Sequence, residues 1–235
     1  MINLKINKTY IIFLLSIINT TFLFSNVDDK SIVDSIKGDD TTLVQSPKEV
    51  VYIGLSQNVV NYLESQNLPE NLANYLNKKY NVEIDSNQAQ LLNFAAVNYG
   101  LQDFTGDTSN TKVLQFFSEI GHPEVVDDET SWCSAYMSWC AKNVNLEGLE
   151  VKTNLSAKCW LQAGEEVIGT PKTGDIVIFW REKKNSWQGH VSIFINEDPV
   201  THQVFCLGGN QDDKVCIKAY PSEQVLGFRR LKIIE

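Results

Sequence analysis

Two observations predict an α+β fold: helical periodicity of apolar residues runs through the chain to about residue 143, and short β-type runs bounded by glycine turns fill the remainder. Helices first and a meander of strands afterwards is a segregated arrangement. It predicts N-terminal helices packed on an antiparallel sheet, preceded by a small helical region. The 235 residues are 43% apolar and 21% charged, enough for one large domain or a domain with a smaller appendage.

Each element follows in order. Lys5 and Lys8 precede an apolar run from Tyr10 to Phe24 that ends at Ser25, the pattern of a secretory signal over residues 1–25. The run is shorter than the roughly 20 residues a membrane-spanning helix needs, so no stable membrane insertion is expected after cleavage, an uncleaved anchor being the alternative. The expected location is periplasmic or secreted. Residues 26–47 are polar and rich in Asp, Lys, Ser and Thr, a composition that reads as a linker. Residues 48–87 form the helical region: Leu55, Val59, Tyr62 and Leu63 recur at helical spacing, as do Leu72, Tyr75, Leu76 and Tyr80 after Pro69. Ala89, Leu92, Ala95, Ala96 and Tyr99 make the next helix, ended by Gly100, and open the C-terminal domain, 88–235. A short helix is expected over Val113 to Phe117 and another over 133–143. Strands are expected over Asp175 to Trp180, His190 to Ile195, Gln203 to Leu207, Val215 to Tyr220 and Leu226 to Leu231.

Twenty basic residues against 29 acidic ones give a net charge of −9, and without Lys5 and Lys8 the value is −11. A phosphate-backbone binder needs the opposite sign, so nucleic acid is excluded as a main partner. Five cysteines in an exported chain permit disulfides and leave at least one thiol unpaired or paired between chains. The cysteines and His122, His190 and His202 lack metal-ligand spacing, so neither metal nor cofactor is expected.

Three segments carry candidate chemistry. Trp132, Tyr136, Trp139 and Cys140 recur at helical spacing with Thr130 or Ser131 placed to cap, so Cys133 falls in the first helical turn, where the dipole favours a reactive thiolate. In Gly189 to Ile195, alternation puts His190, Ser192 and Phe194 on one face and Val191, Ile193 and Ile195 on the other. An imidazole there is suited to take the thiol proton and return it to a leaving amine. In Phe205-Cys206-Leu207-Gly208-Gly209-Asn210-Gln211, Asn210 can accept from the imidazole and fix its tautomer. The same Gly-Gly-Asn also suits a hairpin turn. Cys206 and Cys216 flank this turn, and a disulfide between them is expected. Trp132 and Trp187 are candidate substrate-binding aromatics. Arg181-Glu182-Lys183-Lys184 reads as a solvated loop tip, and so does Asp127-Asp128-Glu129.

Together, Trp-Cys-Ser-Ala-Tyr, Gly-Asp-Ile-Val-Ile-Phe, Gly-His-Val-Ser-Ile-Phe, Leu-Gly-Gly-Asn-Gln and the closing Gly-Phe-Arg-Arg resemble the NlpC-like and CHAP-type cell-wall cysteine hydrolases over residues 91–235. The resemblance implies a papain-like fold, peptidoglycan as substrate and partner, and Cys133, His190 and Asn210 as nucleophile, base and orienting residue. It implies cleavage of an amide bond, either an N-acetylmuramoyl-L-alanine amidase or a stem-peptide endopeptidase reaction through a thioester. Gln102-Asp103-Phe104-Thr105-Gly106 departs from the Glu and Pro that related sequences often carry before the Cys helix, so no substrate contacts carry over from that segment. A non-catalytic wall-binding module is the alternative from another class. A secreted antibacterial or host-directed toxin using the same site, restrained by residues 48–82 or by an unidentified inhibitor or immunity protein, is the third reading.

Overall fold

The computed structural model describes residues 71–146 and 155–232, with Asn58, Val60, Asn61 and Glu64. All lie in one compact unit, Val51–Glu235. The expected signal (1–25) and linker (26–47) lie outside the described residues, and so does most of the first helical pattern, Leu55 to Leu63.

The described chain is α+β. Helix α1 (Leu72–Tyr80) starts where the Asn71 side chain accepts the Asn74 N–H at 3.0 Å and ends at Asn81, a left-handed residue with φ 55°. Helix α2 (Ser86–Ala96) buries Leu91, Leu92, Ala95 and Ala96. The apolar face therefore includes Leu91 and stops short of Tyr99. Helix α1 packs on α2 across residue 87: the Ala73 N–H reaches Asn93 Oδ1 at 2.8 Å, and Leu72, Leu76 and Val82 join the core that holds α2. Helix α3 (Thr111–Glu119) is capped by Asn110, whose side chain accepts the Lys112 N–H at 2.9 Å. The acidic run Asp127 to Glu129, expected to be solvated, is only partly so, because buried Asp128 accepts the N–H groups of Phe104 at 2.9 Å and Asn110 at 2.6 Å.

Helix α4 (Cys133–Asn143) is buried all the way from Cys133 to Ala141, which makes it the central helix. It packs on α2, α3 and the sheet. Its hydroxyl-bearing and aromatic side chains find partners inside: the Tyr136 hydroxyl donates to Ala95 O at 2.7 Å, and Trp160 Nε1 donates to Ser134 Oγ at 2.9 Å.

Six strands form one antiparallel sheet: β1 (Glu165–Glu166), β2 (Ile176–Trp180), β3 (Gly189–Asp198), β4 (Gln203–Gly208), β5 (Cys216–Pro221) and β6 (Val225–Arg230), in the order β1-β6-β2-β3-β4-β5. Strands β2 to β5 are the expected meander, while β6 returns to pair with β2. Strand β2 is thus internal, and the unbroken run Ile176 to Phe179 is buried on both faces. Strand β1 has no apolar residue to signal it.

Ile176, Ile178, Val191, Ile193, Ile195, Phe205, Leu207 and Ile217 face the helices. The other face holds a second cluster of Val177, Phe179, Phe194, Val204 and Cys206, joined by Tyr220, Val225 and Phe228. The Phe179 and Tyr220 rings meet at 4.8 Å although two strands separate β2 from β5, so the sheet curls toward this face.

Candidate functional site

Cys133 opens α4. The cap position is Trp132, at φ −110° and ψ 8° with no side-chain cap bond, rather than the expected Thr130 or Ser131. Thr130 is engaged elsewhere, its N–H and hydroxyl both donating to Asp127 Oδ1 at 3.1 Å. With no side chain capping the helix, the first N–H groups, those of Cys133 and Ser134, act on the thiol itself.

A third N–H comes from the sheet. In β3 the Phe194 N–H donates to Asp175 O at 2.7 Å on the β2 side, so the alternate residue Val191 directs its N–H toward β4. The β3–β4 ladder ends at Ile193–Leu207, leaving that N–H beyond the last rung, where it acts on the Cys133 thiol. Burial nevertheless outweighs these donors and the charge of Arg181 and pushes the thiol above its ordinary range. The thiolate expected from the helix dipole alone is therefore not the resting form, since Cys133 is almost fully buried.

His190 is fully buried on the face away from the helices, beside Phe179 and Tyr220. Its protonation can be derived from its neighbours. Gln211, also fully buried, donates through Nε2 to Cys206 O at 3.3 Å and Cys216 O at 2.5 Å. Two carbonyls thus fix the amide orientation, and Gln211 Oε1 must face the imidazole as an acceptor. It lies 2.8 Å from His190 Nε2, so that nitrogen carries the proton. Ser192 Oγ donates to the same Oε1 at 2.8 Å and sits 2.8 Å from Nε2. On the other side, Arg181 Nη2 stands 3.2 Å from Nδ1. A guanidinium only donates, so Nδ1 presents a lone pair. Burial first, and then the positive charge of Arg181, push the imidazole down to about 3, leaving it neutral near pH 7.

Several expected roles move. The orienting hydrogen bond comes from Gln211, one residue beyond the expected Asn210, because Asn210 takes the left-handed turn at φ 54° and makes no bond to the ring. The expected Cys206–Cys216 bridge is absent: all five cysteines are free. Cys206 pairs across the ladder with Lys218 and Cys216 with Gly208, a two-residue offset, and both thiols touch Gln211. Trp132, expected at the substrate, is wholly buried and donates from Nε1 to Asp103 Oδ2 at 2.8 Å. Trp187 remains on the surface, 80% exposed, in the loop between β2 and β3. Arg181 is not a free loop tip, since its guanidinium reaches the imidazole.

The paired glycines of the Leu-Gly-Gly-Asn-Gln motif serve close approach. A Cβ at Gly208 would overlap the Ser192 hydroxyl, and one at Gly209 would overlap the Trp132 ring and come within 2.8 Å of Tyr136 Cβ. The first lets Gln211 and Ser192 converge; the second seats the turn on the helix that carries Cys133.

Beside Trp132 lies an open cavity of about 490 Å³ lined by Gln102, Asp103, Phe104, Thr105, Thr108, Asp212 and Asp213. Among the described residues, no three His, Cys, Asp or Glu side chains are grouped to hold a metal ion.

Of the two residues the sequence points to, Cys133 reaches β3 through the Val191 N–H, while the imidazole of the neighbouring His190 lies on the sheet face away from the helices, and the charge of Arg181 bears on both. No direct hydrogen bond joins thiol and imidazole. Gln211 was legible as a motif neighbour and Ser192 as sharing the His190 face; Arg181 and Tyr220 carried no local signal. No protein family, curated protein or solved structure matches the chain.

Proposed function

We propose that this chain is an exported cysteine hydrolase with a papain-like site that cleaves amide bonds of peptidoglycan. The reading is carried by one observation: a neutral imidazole, held by Gln211 with its Nδ1 lone pair turned to Arg181, belongs to the residue next to Val191, whose N–H contacts the thiol at the start of α4. Gln211 takes the orienting role in this proposal.

In the reaction, the Cys133 thiol gives its proton to His190 Nδ1 and the sulfur attacks the substrate carbonyl carbon. The Cys133 N–H at the helix start stabilises the oxyanion. When the C–N bond breaks, the imidazolium returns the proton to the leaving amine, leaving a thioester. Water, deprotonated by the imidazole, then attacks the thioester and releases the acid and the thiol. The first step requires Arg181 to leave Nδ1.

The test is mass spectrometry of soluble products released from purified peptidoglycan by the reduced protein and by its Cys133→Ala variant. New amine and carboxyl termini that depend on Cys133 are expected, and their identity separates amidase from endopeptidase. Binding to sacculi without released fragments would refute hydrolysis and support a non-catalytic wall-binding module, which a buried, uncharged Cys and His would also suit.

A further inference from the structure

The lone pair that the proposed base needs is already taken, and the group that takes it is itself incompletely used. Arg181 Nη2 lies 3.2 Å from His190 Nδ1. The residue is exposed, and no carboxylate among the described residues pairs with it, in a chain of 29 Asp and Glu. The Tyr220 hydroxyl sits beside it: it is buried with no acceptor for its proton, Arg181 acts on its oxygen as a donor, and its ring lies 5.1 Å from the imidazole. The charge of Arg181 bears on Cys133, His190 and Tyr220 alike, so one guanidinium is near all three.

A buried hydroxyl without an acceptor for its proton is costly, and a guanidinium with no carboxylate partner retains N–H groups for one. Donors therefore converge where no anionic acceptor is present. The partner that matches a guanidinium fork and a phenol is a carboxylate, bound bidentately by the former and singly by the latter.

We propose that Arg181, with Tyr220, binds a substrate carboxylate next to the scissile amide, and that this binding draws Arg181 off His190 Nδ1 and frees the base. Arg181 is a substrate-binding and gating residue, and an anionic peptide is the substrate class. A ligand without the carboxylate leaves Nδ1 capped. The inference rests on the peptide-hydrolysing reading above but tests separately from it.

The experiment titrates the full chain carrying Cys133→Ala, which holds ligand without turnover, with a glutamyl-containing stem tripeptide in free-acid and carboxamide forms by calorimetry. The free acid is expected to bind at least tenfold more tightly. Adding Arg181→Met should abolish the preference, Arg181→Lys should keep part of it, and Tyr220→Phe should reduce it; thermal melts check that each variant is folded. In the active protein, Arg181→Met should lower kcat/KM for the free acid and raise it for the carboxamide, since His190 Nδ1 is then no longer capped. A merely structural role would depress both. Equal affinity for the two peptides, no binding of either, or a preference that survives Arg181→Met overturns the proposal. Products from peptidoglycan without a carboxylate preference would refute the gate alone, whereas a carboxylate preference without products would refute the hydrolase reading alone.

Discussion

Replacing Gln211 by Leu tests whether the residue after the expected one supports the proposed base. The change keeps the approximate shape and removes every polar contact. Cys206 O and Cys216 O lose their Gln211 donor, and His190 Nε2 loses the acceptor at 2.8 Å, keeping only Ser192. Buried groups left unsatisfied cost about 1–3 kcal/mol each, and the apolar replacement offsets part of this, so a net destabilisation of about 2–4 kcal/mol is expected. With its tautomer and orientation unsupported, the imidazole should lose most of its acid–base contribution, about 10²–10⁴ in kcat/KM. That corresponds to about 3–5 kcal/mol of transition-state stabilisation. The control is Asn210→Gly, which suits the left-handed φ of 54° and removes no bond to the ring; stability and rate should stay near the wild-type values. Urea unfolding gives the first quantity and turnover of soluble peptidoglycan fragments the second, while nitrogen NMR of the imidazole reports whether Nε2 keeps its proton. Wild-type turnover in Gln211→Leu, or an equal loss in Asn210→Gly, would return the orienting role to Asn210.

Three further outcomes follow from the same contacts. His190 has a folded pKa near 3 against about 6.5 unfolded, so the unfolded chain binds the extra proton; its stabilising share is full above pH 6.5 and declines by about 1.4 kcal/mol per unit as pH falls toward 3. Urea midpoints from pH 7 to 4 should fall less steeply in His190→Gln than in wild type, and parallel curves would refute this. Asp175, wholly buried, binds Arg230 through two contacts of 2.7 Å; Asp175→Asn should cost about 3–5 kcal/mol in urea unfolding, and adding Arg230→Met should recover part. Gly209→Ala should cost about 1–3 kcal/mol and change the near-ultraviolet circular dichroism of Trp132, because the new methyl overlaps that ring.

The sequence reveals elements whose side chains repeat with a period and conceals whatever depends on non-local geometry. Helix α4 was legible over its full length because Trp132, Tyr136, Trp139 and Cys140 share one spacing, and β2 and β3 were legible as apolar runs between glycine turns. The return of β6 beside β2 was not, since nothing in Val225–Arg230 names its neighbour. The same division holds at the site. Cys133 and His190 stand in distinctive local contexts, but the choice between Asn210 and Gln211 depends on which side chain turns inward after Gly209. Asn210 carries the left-handed turn, and Gln211 is the residue buried against Cys206 O and Cys216 O. Arg181 looked like a loop tip because its charged neighbours are solvated, whereas the length of its side chain carries the guanidinium back to the imidazole.

The electrostatics of the resting site follow from where Arg181 sits. Burial disfavours both a thiolate at Cys133 and an imidazolium at His190. A nearby cation acts on the two in opposite senses: it favours the thiolate, and it opposes the imidazolium. Proton transfer between them creates both charges at once; Arg181 stands against Nδ1 itself, so it hinders the transfer by occupying the accepting lone pair and by opposing the imidazolium, while its pull on the thiolate works the other way. Pairing the guanidinium with a substrate carboxylate removes both obstacles in one movement, because the bound anion neutralises the cation as it uncovers the nitrogen. The neutral, buried resting pair and the gating role proposed for Arg181 are thus two aspects of one arrangement. Catalytic charge would form only when an anionic peptide supplies the compensating charge, a useful property for a hydrolase proposed to act on the wall that surrounds the cell.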